Sequence, residues 1–223
     1  MDQIIVTFIF LIALSLLLVI TEMIYRKLRL RVELTRKFAH TTATLSTLSF
    51  PYLFGSHWYI FALVVFFCAV LYFSKRQTRL KSIHDVRRSS AGSYLLPVGI
   101  YVTYVLANSA GNDFMFILPI LVLAISDPFA GLMGMYGRKS NYKITIFGKK
   151  LDKTRDGTLG FLISCFVISV VALSLYRMDL NVEIIGLAAG IAVFSSFVEL
   201  VSGKGSDNVS VPVSVLIMLI IFL

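Results

Sequence analysis

Residues 124–160, from Ala124 to Gly160, read AISDPFAGLMGMYGRKSNYKITIFGKKLDKTRDGTLG. The stretch begins inside one apolar run and ends at the start of another. Asp127 sits in the first run, and Pro128 follows it. A carboxylate at the centre of a membrane span costs roughly 3 kcal/mol or more, so by default it marks a functional site. Gly131, Gly134 and Gly137 come next, then a basic loop, then the polar cluster Asp152, Lys153, Thr154, Asp156, Gly157 and Thr158.

The rest of the chain agrees with a membrane setting. Of its 223 residues, 57% are hydrophobic, and the mean hydropathy is +0.85. That is too apolar for a soluble domain and fits a polytopic membrane protein. The first apolar run is too long for a cleavable signal and lacks a small-residue cleavage site, so it reads as a true span. Cys68 and Cys165 lie in apolar runs with neither metal-ligand nor disulfide spacing, and read as small hydrophobes.

Eight candidate spans follow from hydropathy, at about 4–25, 38–54, 57–73, 92–107, 113–137, 158–176, 181–200 and 209–223. The loop after the first span carries Arg26, Lys27, Arg29, Arg31, Arg36 and Lys37. The loop after the third carries Lys75, Arg76, Arg79, Lys81, Arg87 and Arg88. The loop after the fifth carries Arg138, Lys139, Lys143, Lys149, Lys150, Lys153 and Arg155. The loop after the seventh has Lys204, and the intervening connections hold only Arg177. This alternation places both termini outside and the basic loops in the cytoplasm. It also accounts for the net charge of +9 better than nucleic-acid binding does. The fold class expected is all-α: one polytopic helix bundle over residues 1–223 with a cytoplasm-facing active site. Leu80, Ile83 and Val86, set among basic residues, fit either a short amphipathic helix on the membrane surface or a solvated loop.

Four polar clusters lie at the cytoplasmic face. Glu33, Arg36, Lys37 and His40 fall at i, i+3, i+4 and i+7, so they share one helix face suited to phosphate. His40 lies one turn deeper than flanking charge would explain. In the second cluster, Pro128 removes a backbone hydrogen bond, so a kink or break near Asp127 is expected. A carboxylate there can hold Mg²⁺, which takes oxygen ligands. The three glycines on that helix are better explained by close helix packing. In the third, Asp156 or Thr158 can cap the sixth span, and a helix N-terminus also binds anions. Lys149, Lys150 and Lys153 add positive charge, although no Walker A loop is present. In the fourth, Glu199 ends an apolar run, and Ser202-Gly203-Lys204-Gly205 can form a backbone nest ahead of Asp207 and Asn208. The combined inventory suits metal-assisted phosphoryl transfer at the membrane interface.

Four motifs appear in order: RKxxH from Arg36 to His40, SDPxAxxxG from Ser126 to Gly134, KTxxGT from Lys153 to Thr158, and ExxSxKGxDNxxxP from Glu199 to Pro212. The chain thereby resembles the CTP-dependent lipid kinases, the family of dolichol kinase, phytol kinase and the yeast-type diacylglycerol kinase. That family is distantly similar to phosphatidate cytidylyltransferase. Asp156 stands where the family usually has Glu. The short chain favours a short isoprenoid alcohol or diacylglycerol over dolichol.

The resemblance implies Mg²⁺-dependent transfer of the γ-phosphate of CTP to a lipid hydroxyl. It implies that Asp127, Glu199 and Asp207 hold the metal. Arg36, Lys37, Lys149, Lys153 and Lys204 would neutralise or contact phosphate. Thr154, Gly157, Thr158 and Asn208 would shape the nucleotide site, and His40 or Asp156 would take the proton. The partners expected are a lipid alcohol, a nucleoside triphosphate and membrane lipids, with no nucleic acid; a homodimer is compatible. Two other readings are a CDP-lipid synthase and a small transporter. Transporters commonly show repeat symmetry, and the sequence has none.

Overall fold

The computed structural model describes residues 2–77, 79–84, 91–137, 143–146 and 149–223. Each of the eight expected segments is helical. Helix α1 spans Gln3–Leu28, α2 Val32–Ser46, α3 Phe50–Leu53, α4 His57–Arg76, α5 Lys81–His84, α6 Gly92–Ser109, α7 Phe114–Tyr136, α8 Arg155–Arg177, α9 Val182–Val201 and α10 Asp207–Phe222. Five of these, α1, α4, α7, α8 and α9, are long and apolar enough to cross a membrane; α10 is apolar and shorter.

The all-helical class expected from sequence holds, and the structure differs from the sequence reading in detail at three places. First, one short hairpin lies among the helices: β1 (Lys143–Ile146) and β2 (Lys149–Thr154) pair antiparallel ahead of α8. Second, the expected span 38–54 begins earlier, at Val32, and is interrupted by a 3₁₀ turn at Thr47–Ser49. The hydroxyls of Ser46, Thr47 and Ser49 each donate to the carbonyl three residues back, which competes with helical pairing and tightens the turn. Third, α7 runs unbroken through Asp127 and Pro128. Of the stretch around Leu80, Ile83 and Val86, for which a short amphipathic helix and a solvated loop were both open, the single turn α5 is described as helix; Val86, Arg87 and Arg88 lie outside the described residues.

Two apolar cores meet at α7. One gathers α7, α8, α9 and α10 around Leu118, Phe161, Ile191 and Val215. The other gathers α1, α3, α4, α6 and α7 around Phe50, Ile60, Ile100 and Phe116. Helix α7 is apolar on every side and carries Leu118, Ile120, Val122, Leu123 and Ala124 fully buried, as a central helix must be. Helix α1 exposes Ile4, Phe8, Ile12, Leu16 and Val19, a face that suits lipid.

Prolines inside helices free carbonyls that neighbouring helices then use. Pro128 cannot bond the Ala124 carbonyl, four residues back. The Thr41 hydroxyl of α2 donates to it at 3.0 Å. Pro212 likewise frees the Asn208 carbonyl, which lies so close to Gly99 of α6 that a Cβ at Gly99 would overlap it. That contact lets α6 and α10 pack backbone to backbone, as small residues allow inside membranes.

Gly99→Ala is therefore expected to destabilise the protein by about 1–3 kcal/mol through overpacking. Gly186→Ala, where nothing lies within 4 Å of the added Cβ, is expected to stabilise it by about 0.5–1 kcal/mol. Thermal unfolding in detergent measures both.

Candidate active site

The site is built where several helix ends converge. Asp127 lies about two and a half turns before the end of α7. Glu199 stands near the C-terminal end of α9, and Asp207 opens α10. Oxygens of these three carboxylates lie within 4.8 Å of one another. Glu199 and Asp207 are joined by the short loop between α9 and α10, whereas Asp127 is far away in sequence, and only tertiary packing makes it their neighbour.

Cations hold the cluster together. Lys153, the penultimate residue of β2, donates to Glu199 Oε1 and to Asp207 Oδ2, the latter at 2.9 Å. Burial by itself would depress the Lys153 pKa; the Asp207 and Glu199 carboxylates outweigh it and raise the ammonium above the ordinary lysine range. On α2, the Lys37 ammonium donates to the Asp127 carbonyl at 3.4 Å. His40 Nε2 donates to the Leu123 carbonyl at 3.2 Å and lies 3.9 Å from Asp127 Oδ2. Arg36 pairs with Glu33 at 2.7 Å. Glu199 is only 3% exposed, yet its Oε2 has no hydrogen-bond partner among the described residues. A buried carboxylate oxygen left unpaired is costly, unless something else binds it.

The glycines of α7 divide between two tasks. A Cβ at Gly131 would overlap the Lys37 ammonium, so this glycine makes room for a site residue. A Cβ at Gly134 would lie 2.9 Å from Thr154 Oγ1, so this position serves the packing of α7 on the start of α8. The cap of α8 is Thr154, whose Oγ1 accepts from Gly157 N at 3.2 Å; neither Asp156 nor Thr158 holds that position. Asp156 lies against Gly137 and does not line the cavity. Thr158 does line it, and its buried hydroxyl has no partner among the described residues.

A cavity of about 400 Å³ opens onto these groups. Its polar end is lined by Arg36, Lys37, His40, Asp127, Lys153 and Glu199, with Thr154, Gly157, Lys204, Asp207 and Asn208 beside them. Lys204 and Gly205 both adopt positive φ, 54° and 92°, and the Lys204 carbonyl accepts from Ala91 N at 2.9 Å. The Asn208 amide donates to the Gly92 carbonyl at 2.7 Å, so much of its bonding is spent tying α10 to α6. The side chain of Lys149 lies outside those described. Thr41 was missed in the sequence, although it follows Lys37 on the same helix face at i+4. That spacing is the signal that would have found it.

Over 182 residues, 81% of this chain and 75% of the relative, the sequence is 31% identical to a Synechocystis sp. protein named phytol kinase. No family model matches the chain. No solved structure matches it.

Lys153→Met leaves Glu199 and Asp207 without their shared cation and is expected to destabilise the protein by about 3 kcal/mol. Adding Glu199→Gln is expected to recover part of that loss, as a coupled pair should in a double-mutant cycle. Because the folded-state pKa of Lys153 is raised, its stabilisation is complete below the unfolded value and is lost as pH rises through the folded one. The wild-type melting temperature is therefore expected to fall at alkaline pH more steeply than that of Lys153→Met.

Proposed function

The chain belongs to the lipid kinase family that includes phytol kinase, and on that premise we propose that it transfers the γ-phosphate of CTP to the hydroxyl of an isoprenoid alcohol with Mg²⁺ as cofactor. The observation that carries this reading is the meeting of three carboxylates with Lys37, Lys153 and His40 at one end of a single cavity. The donor set is all oxygen and includes the orphaned Glu199 Oε2, which is the chemistry Mg²⁺ selects. Asp127, Glu199 and Asp207 would hold the ion, which would supply charge neutralisation between nucleotide phosphates.

The chain's own residues account for the remaining chemistry. Lys37, Lys153 and Arg36 neutralise phosphate oxygens, Lys153 exchanging its carboxylate partners for phosphate when nucleotide arrives. The free N–H groups at the start of α8 add a fixed anion site. The lipid oxygen attacks the γ-phosphorus, its proton passes to His40, and CDP leaves with the broken P–O bond. With Nε2–H committed to the Leu123 carbonyl, Nδ1 is the ring atom that accepts. Of the two acceptors considered from sequence, His40 lines the cavity and Asp156 does not, which favours His40. Positioning and charge stabilisation are what phosphoryl transfer mainly requires.

The positive-inside pattern of the basic loops supports a topology of eight spans with the carboxylate end on the cytoplasmic side. A single cysteine at Lys204, in a background lacking Cys68 and Cys165, should react with an impermeant thiol reagent only from the cytoplasmic side. Labelling only from the opposite side would reverse the topology.

Purified protein given γ-labelled CTP, UTP or ATP and a panel of lipid alcohols is expected to move label into the organic phase, with CTP preferred. Release of pyrophosphate in place of CDP would make it a cytidylyl transferase. Asp127→Asn is expected to lower turnover by about a hundred-fold or more while still inserting and folding. Near-wild-type turnover in that variant would overturn the assignment.

A further inference from the structure

The cavity is larger than phosphate chemistry needs. Past His40 it continues between α1, α2, α4 and α6 as an arm whose walls include Ala43, Leu63, Phe67 and Leu96. The arm reaches Phe50 and Ile60, which are 3% and 0% exposed. Phe50 lies ten residues beyond His40 along the α2–α3 run, about 15 Å at the helical rise. Behind it, the rings of Phe10 and Phe54 stand edge-on at 5.1 and 5.2 Å. The end of the arm is therefore a packed aromatic stop.

We propose that this arm receives the hydrocarbon tail of the alcohol, and that the Phe50–Ile60 end sets the longest chain the protein accepts. The proposal rests on the phosphorylation site proposed above, because it is the continuity with Asp127 and His40 that identifies the occupant. A tail leaving the bilayer for an apolar arm exchanges one apolar surrounding for another, so the hydrophobic effect contributes little. Shape decides instead. A tail short enough to end before Phe50 lets its hydroxyl rest at Asp127 and His40. A longer one must buckle, or hold its hydroxyl short of the phosphate. Ala43, one turn below His40 on the same helix, keeps the passage open because its side chain is small. Interiors packed at protein density yield little to an overlong guest.

The test is a chain-length series of prenol, geraniol, farnesol and geranylgeraniol, read as kcat/KM. Ala43→Phe narrows the passage and is expected to lower the ratio of geranylgeraniol to prenol by about ten-fold or more. Phe50→Leu deepens the stop and is expected to move the optimum to a longer chain. Unchanged ratios in both variants would overturn the proposal. A second measurement needs neither variant nor turnover: wild-type protein is irradiated with farnesol carrying a diazirine at its tail end. Label on Phe50 or Ile60 supports the arm; label confined to the lipid-facing side of α1, at Phe8 and Ile12, overturns it. Absence of phosphate transfer to every alcohol alongside label at Phe50 would remove the kinase reading and leave the tail site standing.

Discussion

The bundle is held around one ammonium group. Lys153 bonds both Glu199 and Asp207, so a single side chain ties the approach to α8 to the end of α9 and the start of α10. Charges largely withdrawn from water are stable only when they neutralise one another. Asp127 obeys the same constraint from the other side, facing Lys37 and His40 of α2. The paired charges thus form a seam where α2, α7, α9 and α10 come together, and the phosphoryl transfer proposed above is assigned to that seam. The pairing is incomplete at Glu199 Oε2, the point where the seam can take up a further positive charge.

Backbone hydrogen bonding determines how the elements reach that seam. A proline in a helix leaves one carbonyl to be satisfied elsewhere. On α7 that carbonyl belongs to Ala124, and Thr41 takes it. The preceding residue of α2, His40, then reaches the Leu123 carbonyl and lies beside Asp127. Pro128 therefore docks α2 on α7 instead of breaking α7. On α10 the carbonyl freed by Pro212 sits against Gly99, which closes α6 onto the site from the opposite side. The small residues of α7 serve both purposes, Gly131 giving space to an ammonium and Gly134 to a neighbouring helix.

Most of the site was legible because its residues break local rules. Asp127 and Glu199 are carboxylates in apolar runs, and His40 is an imidazole one turn too deep. All three line the cavity. Asp156 looked equally polar, yet it faces Gly137, while its neighbours Thr154 and Gly157 are turned to the cavity. Asn208 lines the cavity with its amide tied to Gly92. One residue along a helix is about 100° of rotation, so adjacency in sequence does not tell which face a residue takes. The apolar arm was invisible for a related reason. Leu63 and Leu96 line a cavity while Leu16 is exposed on the lipid side, and hydropathy does not distinguish them.

The order of apolar and basic segments, with the polar residues set among them, determined the membrane class, the positions of the helices and which residues are candidates for chemistry. Those properties depend on the cost of placing each side chain in lipid or water, and that cost is local. Tertiary structure alone decided that Asp127, Glu199 and Asp207 share one hollow, that Lys153 bridges two of them, and that an apolar arm ends at Phe50. Those depend on how distant helices rotate and pack against each other, which no window of sequence contains.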